Sequence, residues 1–160
     1  VPDIVMAGGF IEETQIYKAI ALSNFGDGPI VKAVVMGRSP LTAVMKAKYF
    51  VELAEKGKLP PKFAQEYGET PEKFFRCTSE LKAKFGEKFK NIPWSAVGLY
   101  SYLQDRIGVS LQQLLAGSRK FKLNLINRND LMALTERASK VTGIPMPHEC
   151  ELDAIEQILN

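Results

Sequence analysis

Histidine and cysteine are almost missing from this chain: His148 is the one histidine, and Cys77 and Cys150 are the two cysteines. A zinc centre needs three or four nitrogen, sulfur or carboxylate donors, so His148, in a proline-rich stretch beside Glu149 and Cys150, reads as a solvated loop residue. Two widely separated cysteines form neither a disulfide framework nor a metal spacing, which suits a reducing cytosol and predicts a cytoplasmic protein. Long apolar runs are lacking too. None approaches the roughly 20 residues of a membrane-spanning helix, so no membrane partner is expected. A strong charge excess is also missing. The 160 residues carry 21 Lys and Arg against 18 Asp and Glu, a formal +3, too little to argue for nucleic acid without a concentrated patch. The Arg119-Lys120-Phe121-Lys122 cluster reads as a solvated loop rather than an RNA-binding surface. Hydrophobic residues at 46% and charged residues at 24% exclude wholesale disorder and a coiled coil. The chain begins Val1-Pro2-Asp3 with neither an initiator Met nor a signal-peptide pattern, and is expected to be a fragment or a processed product.

What is present falls into two textures. Ile4-Val5-Met6-Ala7 and Ile30 to Met36 are short apolar runs without alternation, the pattern of strands buried on both faces of a parallel sheet. Each ends in glycine, Gly8-Gly9 and Gly37. Between them, Ile11 to Leu22 is helical in spacing, with Ile16, Ala19 and Ile20 on one face. Ser39 and Pro40 predict a capped helix start, followed by a face of Ala43, Ala47, Phe50 and Ala54. Gly8 and Gly37 are separated by about one strand-crossover-strand unit. Residues 1–57 therefore read as strand-helix-strand-helix.

After Pro60-Pro61 the period is helical almost throughout. Thr70-Pro71 predicts a helix with Phe74, Thr78, Leu81 and Phe85 on one stripe and Gly86 at its end. Pro93 precedes a second, carrying Ala96, Leu99, Tyr100, Leu103 and Ile107 and closing at Gly108. Ser110 with Gln113 predicts a capping box for a third, ending near Gly117. Leu131, Leu134, Ala138 and Val141 form a fourth stripe, stopped by Gly143. Cys77, beside Phe74 and Leu81, reads as a buried inert thiol with no base nearby in sequence. Trp94 and the phenylalanines read as core.

The two glycine-ended strands carry the chemistry. Loops after the last two strands of an α/β barrel commonly form a phosphate site, where glycine admits oxygens close to backbone N–H groups and a helix N-terminus adds a favourable dipole. An Arg adds a charge-assisted contact. Ala7-Gly8-Gly9-Phe10 and Met36-Gly37-Arg38-Ser39 fit that pattern, and two tight strand-to-helix turns beside a surface Arg fit the same residues.

The stretches Pro2 to Phe10, Ile16 to Leu22 and Val31 to Arg38 resemble the end of the FMN-binding barrel domain of the glutamate-synthase-like family, particularly its stand-alone archaeal and bacterial relatives. Ala96 to Tyr100 and Leu111 to Phe121 resemble the helical tail of those relatives. The resemblance implies an α/β fold: the last two βα units of a TIM-barrel-type domain over residues 1–57, and a mainly helical C-terminal extension over 58–160. It also implies that Gly8, Gly9, Gly37 and Arg38 hold the flavin phosphate. In glutamate synthases proper, closely spaced cysteines after the eighth strand ligate an iron–sulfur cluster. Ser39 to Tyr49 contains none, so no cluster is expected in this segment. A complete barrel takes about 250 residues, so the upstream part of its own barrel is the expected partner and the catalytic residues lie outside this chain.

The function implied is a segment of an FMN-dependent oxidoreductase acting on CH–NH2 donors in glutamate biosynthesis and nitrogen metabolism, inactive by itself. The alternative from the residues is a non-catalytic helical interaction or oligomerisation module whose glycine loops are structural turns. Exposed strand edges predict self-association in isolation.

Overall fold

The computed structural model describes residues 2–150; the last ten residues of the 58–160 extension lie outside them. The content is mainly α-helical with one small parallel sheet of two strands among the described residues. Strand β1 (Ile4–Ala7) leads to helix α1 (Glu13–Leu22), strand β2 (Val31–Val35) and helix α2 (Arg38–Glu55). Six further helices follow before the last short turn: α3 (Pro61–Tyr67), α4 (Pro71–Phe74), α5 (Thr78–Phe85), α6 (Trp94–Ser101), α7 (Ser110–Gly117) and α8 (Glu136–Thr142), then α9 (Pro147–Cys150). No helix among the described residues is long and apolar enough to cross a membrane. Contacts divide the chain into two compact units: residues 2–6, 14–34 and 114–150 in the first, 7–13 and 35–113 in the second.

In the first unit, β1 pairs with β2, and the expected face of α1 is buried at Ile16, Ala19 and Ile20. The turn after α1 is held by two buried side chains, Ser23, which bridges the Ile20 carbonyl and the Val31 N–H, and Asn24. Buried Asn24 accepts the N–H groups of Gly26 (3.0 Å) and Gly28 (3.1 Å) on its Oδ1, and donates to the Ile126 carbonyl at 2.6 Å. Both glycines have positive φ, 131° and 100°, which other residues reach only with strain. Lys120 is committed within this unit, pairing with Asp130 at 2.6 Å, and Asp130 also closes a capping box with Asn127.

The second unit is organised around aromatic rings. Phe50 stacks on Phe63 at 4.4 Å, and Phe74, Phe75 and Trp94 continue the contact to Phe89. Leu81, Phe89 and Val97 form a buried cluster there, with Phe75 and Trp94 packed against it. Helices α2 and α6 cross closely because Gly98 has no side chain: a Cβ there would collide with Ala47 Cβ and stand 3.0 Å from Phe75 Cε1.

Several local expectations are corrected. The strands are not buried on both faces: every residue of β1 is solvent-facing, and in β2 Val31 is buried while Val35 is more than half exposed. Two paired strands with no third beside them leave their apolar faces uncovered. Ser39 does not cap α2. Gly37 is the N-cap, and the Ser39 hydroxyl donates instead to the Phe10 carbonyl at 3.0 Å. The helix expected from Thr70 is two helices, broken where Phe75 is extended and Thr78 donates its hydroxyl to the Phe75 carbonyl, a local bond that competes with the helical ladder. Gly108 stops nothing. Residues 94–117 run on through a π-helical segment at Tyr102–Val109, and Ser110 lies inside the run rather than capping it. An interior glycine costs a helix only about 1 kcal/mol, which packing absorbs. The Leu131–Val141 stripe is not one buried helix face: α8 begins at Glu136 because Thr135 Oγ1 accepts the Ala138 N–H, and Leu134 and Val141 are exposed. His148 sits on the helical turn α9, not in a loop.

Because the new Cβ would collide with Ala47 Cβ, overpacking belongs near the upper end of about 1–3 kcal/mol, and less a helix-propensity gain near 1 kcal/mol, Gly98→Ala is expected to destabilise the protein by about 2 kcal/mol. Urea denaturation of the variant against the wild type measures it, and an unchanged or raised midpoint contradicts the close approach.

Candidate functional site

Gly8, Gly9, Gly37 and Arg38 line one cavity of about 880 Å³, and every residue on its wall belongs to the second unit. Backbone conformation explains the first pair. Gly8 and Gly9 have φ of 94° and 77°, so the chain leaves β1 in a left-handed double step that side chains resist. No atom lies within 4 Å of the Cβ position of Gly8, Gly9 or Gly37, so the three glycines edge open space.

After that turn the chain forms a strap, Phe10 to Glu13, fixed from two sides. Phe10 is buried and its carbonyl accepts from Ser39 in the first turn of α2. The Ile11 carbonyl accepts from the Tyr102 hydroxyl at 2.7 Å. Arg106, one turn further along the π-helical segment, pairs with Glu13 at 3.4 Å and Glu12 at 3.5 Å. The strap thus carries the Gly8-Gly9 turn toward the start of α2.

The electrostatics of the wall have one sign. Arg38 and Lys46 are its charged side chains, and no carboxylate stands among the described residues lining it. Arg38, Thr42 and Lys46 follow at four-residue steps, placing them on one flank of α2. The N-terminus of α2 has no side-chain cap and no acidic residue in its first turn. Pro40 has no N–H, so the uncapped backbone donors of the first turn are those of Arg38 and Ser39, which beside glycine form an anion-binding arrangement. Apart from the hydroxyls of Ser39 and Tyr102, the rest of the wall is mostly apolar, with Ile11, Val35 and Ala43. Cationic side chains and apolar surface thus share one wall, a lining with the chemistry to take a ligand that is both anionic and partly apolar.

Sequence reasoning missed Lys46, Thr42 and Tyr102. The first two were within reach, since their spacing from Arg38 is that of a helix face. Tyr102 carried no local signal, because its place on this wall is set by tertiary packing. Two weaker candidates stay apart from the cavity. His148 is exposed, and no group of three or more His, Cys, Asp or Glu able to hold a metal occurs among the described residues. Cys77 is buried, and burial pushes its thiol above the ordinary value, opposed by the Ser101 hydroxyl.

No family model, curated protein or solved structure matches the chain.

Because its thiol is both buried and held protonated, Cys77 is expected to resist iodoacetamide at neutral pH in the native protein and to react fully in urea. Peptide mass spectrometry after timed alkylation reads this. Rapid native labelling of Cys77 would contradict its burial.

Proposed function

We propose that this chain supplies the phosphate-binding loops of an FMN-dependent, glutamate-synthase-like oxidoreductase, as the last two βα units of a TIM-barrel-type domain with a helical extension. One observation carries the reading: two glycine turns, each at the end of a parallel strand, meet an uncapped helix N-terminus on a cavity whose charged wall residues are all cationic. The order β1-α1-β2-α2 with β1 beside β2 supports the barrel assignment.

The residues fit the phosphate end of FMN. Gly8, Gly9 and Gly37 leave room for close approach, the first turn of α2 offers N–H donors, and Arg38 offers a guanidinium. When bound, the flavin would supply hydride and electron transfer, while the chain contributes grip and orientation. Catalytic residues are not assigned to this segment.

Expected affinities follow from that division of labour. FMN should bind this chain weakly, yet more tightly than riboflavin, which lacks only the phosphate. A charge-assisted bond contributes about 1.5–3 kcal/mol, or roughly ten- to a hundredfold. Arg38→Ala should remove most of the difference while leaving riboflavin binding unchanged. Isothermal titration with both ligands decides it: equal affinities for FMN and riboflavin, or no flavin binding, would overturn the reading. No oxidoreductase activity is expected of the isolated chain.

A second reading, an interaction module, draws support from exposed apolar side chains. Leu41, Met45 and Tyr49 recur every fourth residue on α2 and are all more than half exposed, and β1 is open along its length. Burying such surface against another chain is favourable at about 25 cal/mol per Å². Self-association is expected, with light scattering after size-exclusion chromatography giving at least a dimer; a strictly monomeric protein at high concentration would count against a docking role for these faces.

A further inference from the structure

The cavity is far larger than a phosphate group requires, so the remainder of its wall must meet the rest of the ligand. At about 880 Å³ it would hold a phosphate many times over, a water claiming only about 30 Å³ of liquid volume. The aromatic side chain on that wall not sealed in the core is Tyr102, which is partly exposed, whereas Phe10 is buried.

Tyr102 is presented in an unusual way. It opens the π-helical segment Tyr102–Val109, a conformation that is rare and often marks functional sites. Its hydroxyl is committed to the Ile11 carbonyl at 2.7 Å, which fixes the phenol beside the cavity it lines. Four residues on, Arg106 pairs with Glu12 and Glu13 of the same strap. The wide π turn therefore anchors two consecutive reaches to one segment, and the first of them leaves an aromatic ring on the cavity wall. Ile11 and Val35 extend the apolar surface beside it.

We propose that Tyr102 is a ligand-contacting residue, the aromatic wall on which the planar ring of a phosphate-bearing ligand stacks. This rests on the reading of the cavity as a phosphate site, and it assigns to the helical extension a direct part in binding. An offset-stacked aromatic pair adds affinity beyond the area it buries, so losing the ring should weaken binding about tenfold.

Fluorescence of bound FMN separates a stacking role from a merely structural one. A tyrosine phenol in contact with the flavin ring quenches its emission by electron transfer, whereas phenylalanine and leucine, being much harder to oxidise, do not. Limiting FMN is titrated with wild-type protein, Tyr102→Leu and Tyr102→Trp, and emission is extrapolated to saturation. Quenched emission in the wild type and Tyr102→Trp, with emission restored and affinity about tenfold lower in Tyr102→Leu, is the expected result. If Tyr102→Leu weakens binding but its saturated complex is as quenched as the wild type, the residue only holds the strap and the proposal is overturned. An unquenched wild-type complex overturns it equally. Should Tyr102→Leu fail to fold, Tyr102→Phe decides, since it keeps the ring and must still restore emission. Absence of FMN binding by the wild type would defeat the phosphate reading itself, whereas binding with unaltered quenching defeats the stacking role alone.

Discussion

Gly98 against Ala47 is the contact on which the second unit depends. With no side chain at Gly98, the backbones of α2 and α6 approach to a distance that a single methyl would forbid. Helix α2 begins at Gly37 and Arg38, and the helical run of α6 reaches Tyr102 one turn after Gly98. The spacing between the cationic start of one helix and the phenol of the other is thus set by one absent Cβ. Interiors packed at crystal-like density transmit such a constraint without much loss. Phe75 lies against the same point and also continues the aromatic contacts from Phe63 to Trp94, so the crossing is braced by the aromatic cluster.

The strap from Phe10 to Glu13 converts that helix geometry into a site. Two carbonyls, of Phe10 and Ile11, accept hydroxyls from Ser39 and Tyr102, one from each helix. Each bond contributes about 0.5–1.5 kcal/mol in net stability, and together they fix a segment that the left-handed glycine pair would otherwise leave free to hinge. Glu13 shows a cost in the same place: it is buried, and its Oε2 has no hydrogen-bond partner, although Arg106 stands 3.4 Å from Oε1. The carboxylate is retained where an apolar residue would pack more cheaply, which fits a strap held for position rather than for stability.

Periodicity made the four opening elements legible, because strand and helix signals there are short-range: Ile16, Ala19 and Ile20 recur at helical spacing and are buried, and glycine ends each strand. Thermodynamic context decided the rest. Gly108 reads as a stop on propensity, yet its penalty near 1 kcal/mol is small against the packing of a helical run that continues to Gly117. Thr70 to Phe85 reads as one stripe, yet the hydroxyl of Thr78 and the extended Phe75 divide it. Burial of β1 failed as an expectation for a different reason. An apolar strand is buried only when something covers it, and periodicity is silent on what does. The candidate site divides the same way: glycines and Arg38 announce themselves by motif, Lys46 by helical register, and Tyr102 by neither.

Which part of the cavity would carry affinity follows from magnitudes. A helix N-terminus contributes about 0.3–1 kcal/mol to an anion, and solvent screens the exposed Arg38 guanidinium toward the low end of charge-assisted bonds. Even added at face value, these terms reach no more than about 4 kcal/mol, the equivalent of millimolar binding. A bare phosphate would therefore visit this site without residing there. Burying 100–150 Å² of ring against Ile11, Val35 and Tyr102 would add roughly 2.5–4 kcal/mol at 25 cal/mol per Å², as much as the charges supply. On the proposed reading, the glycine turn and helix start would orient the ligand, while the apolar wall would retain it. That division matches a cavity that pairs cationic side chains with a mostly hydrocarbon lining.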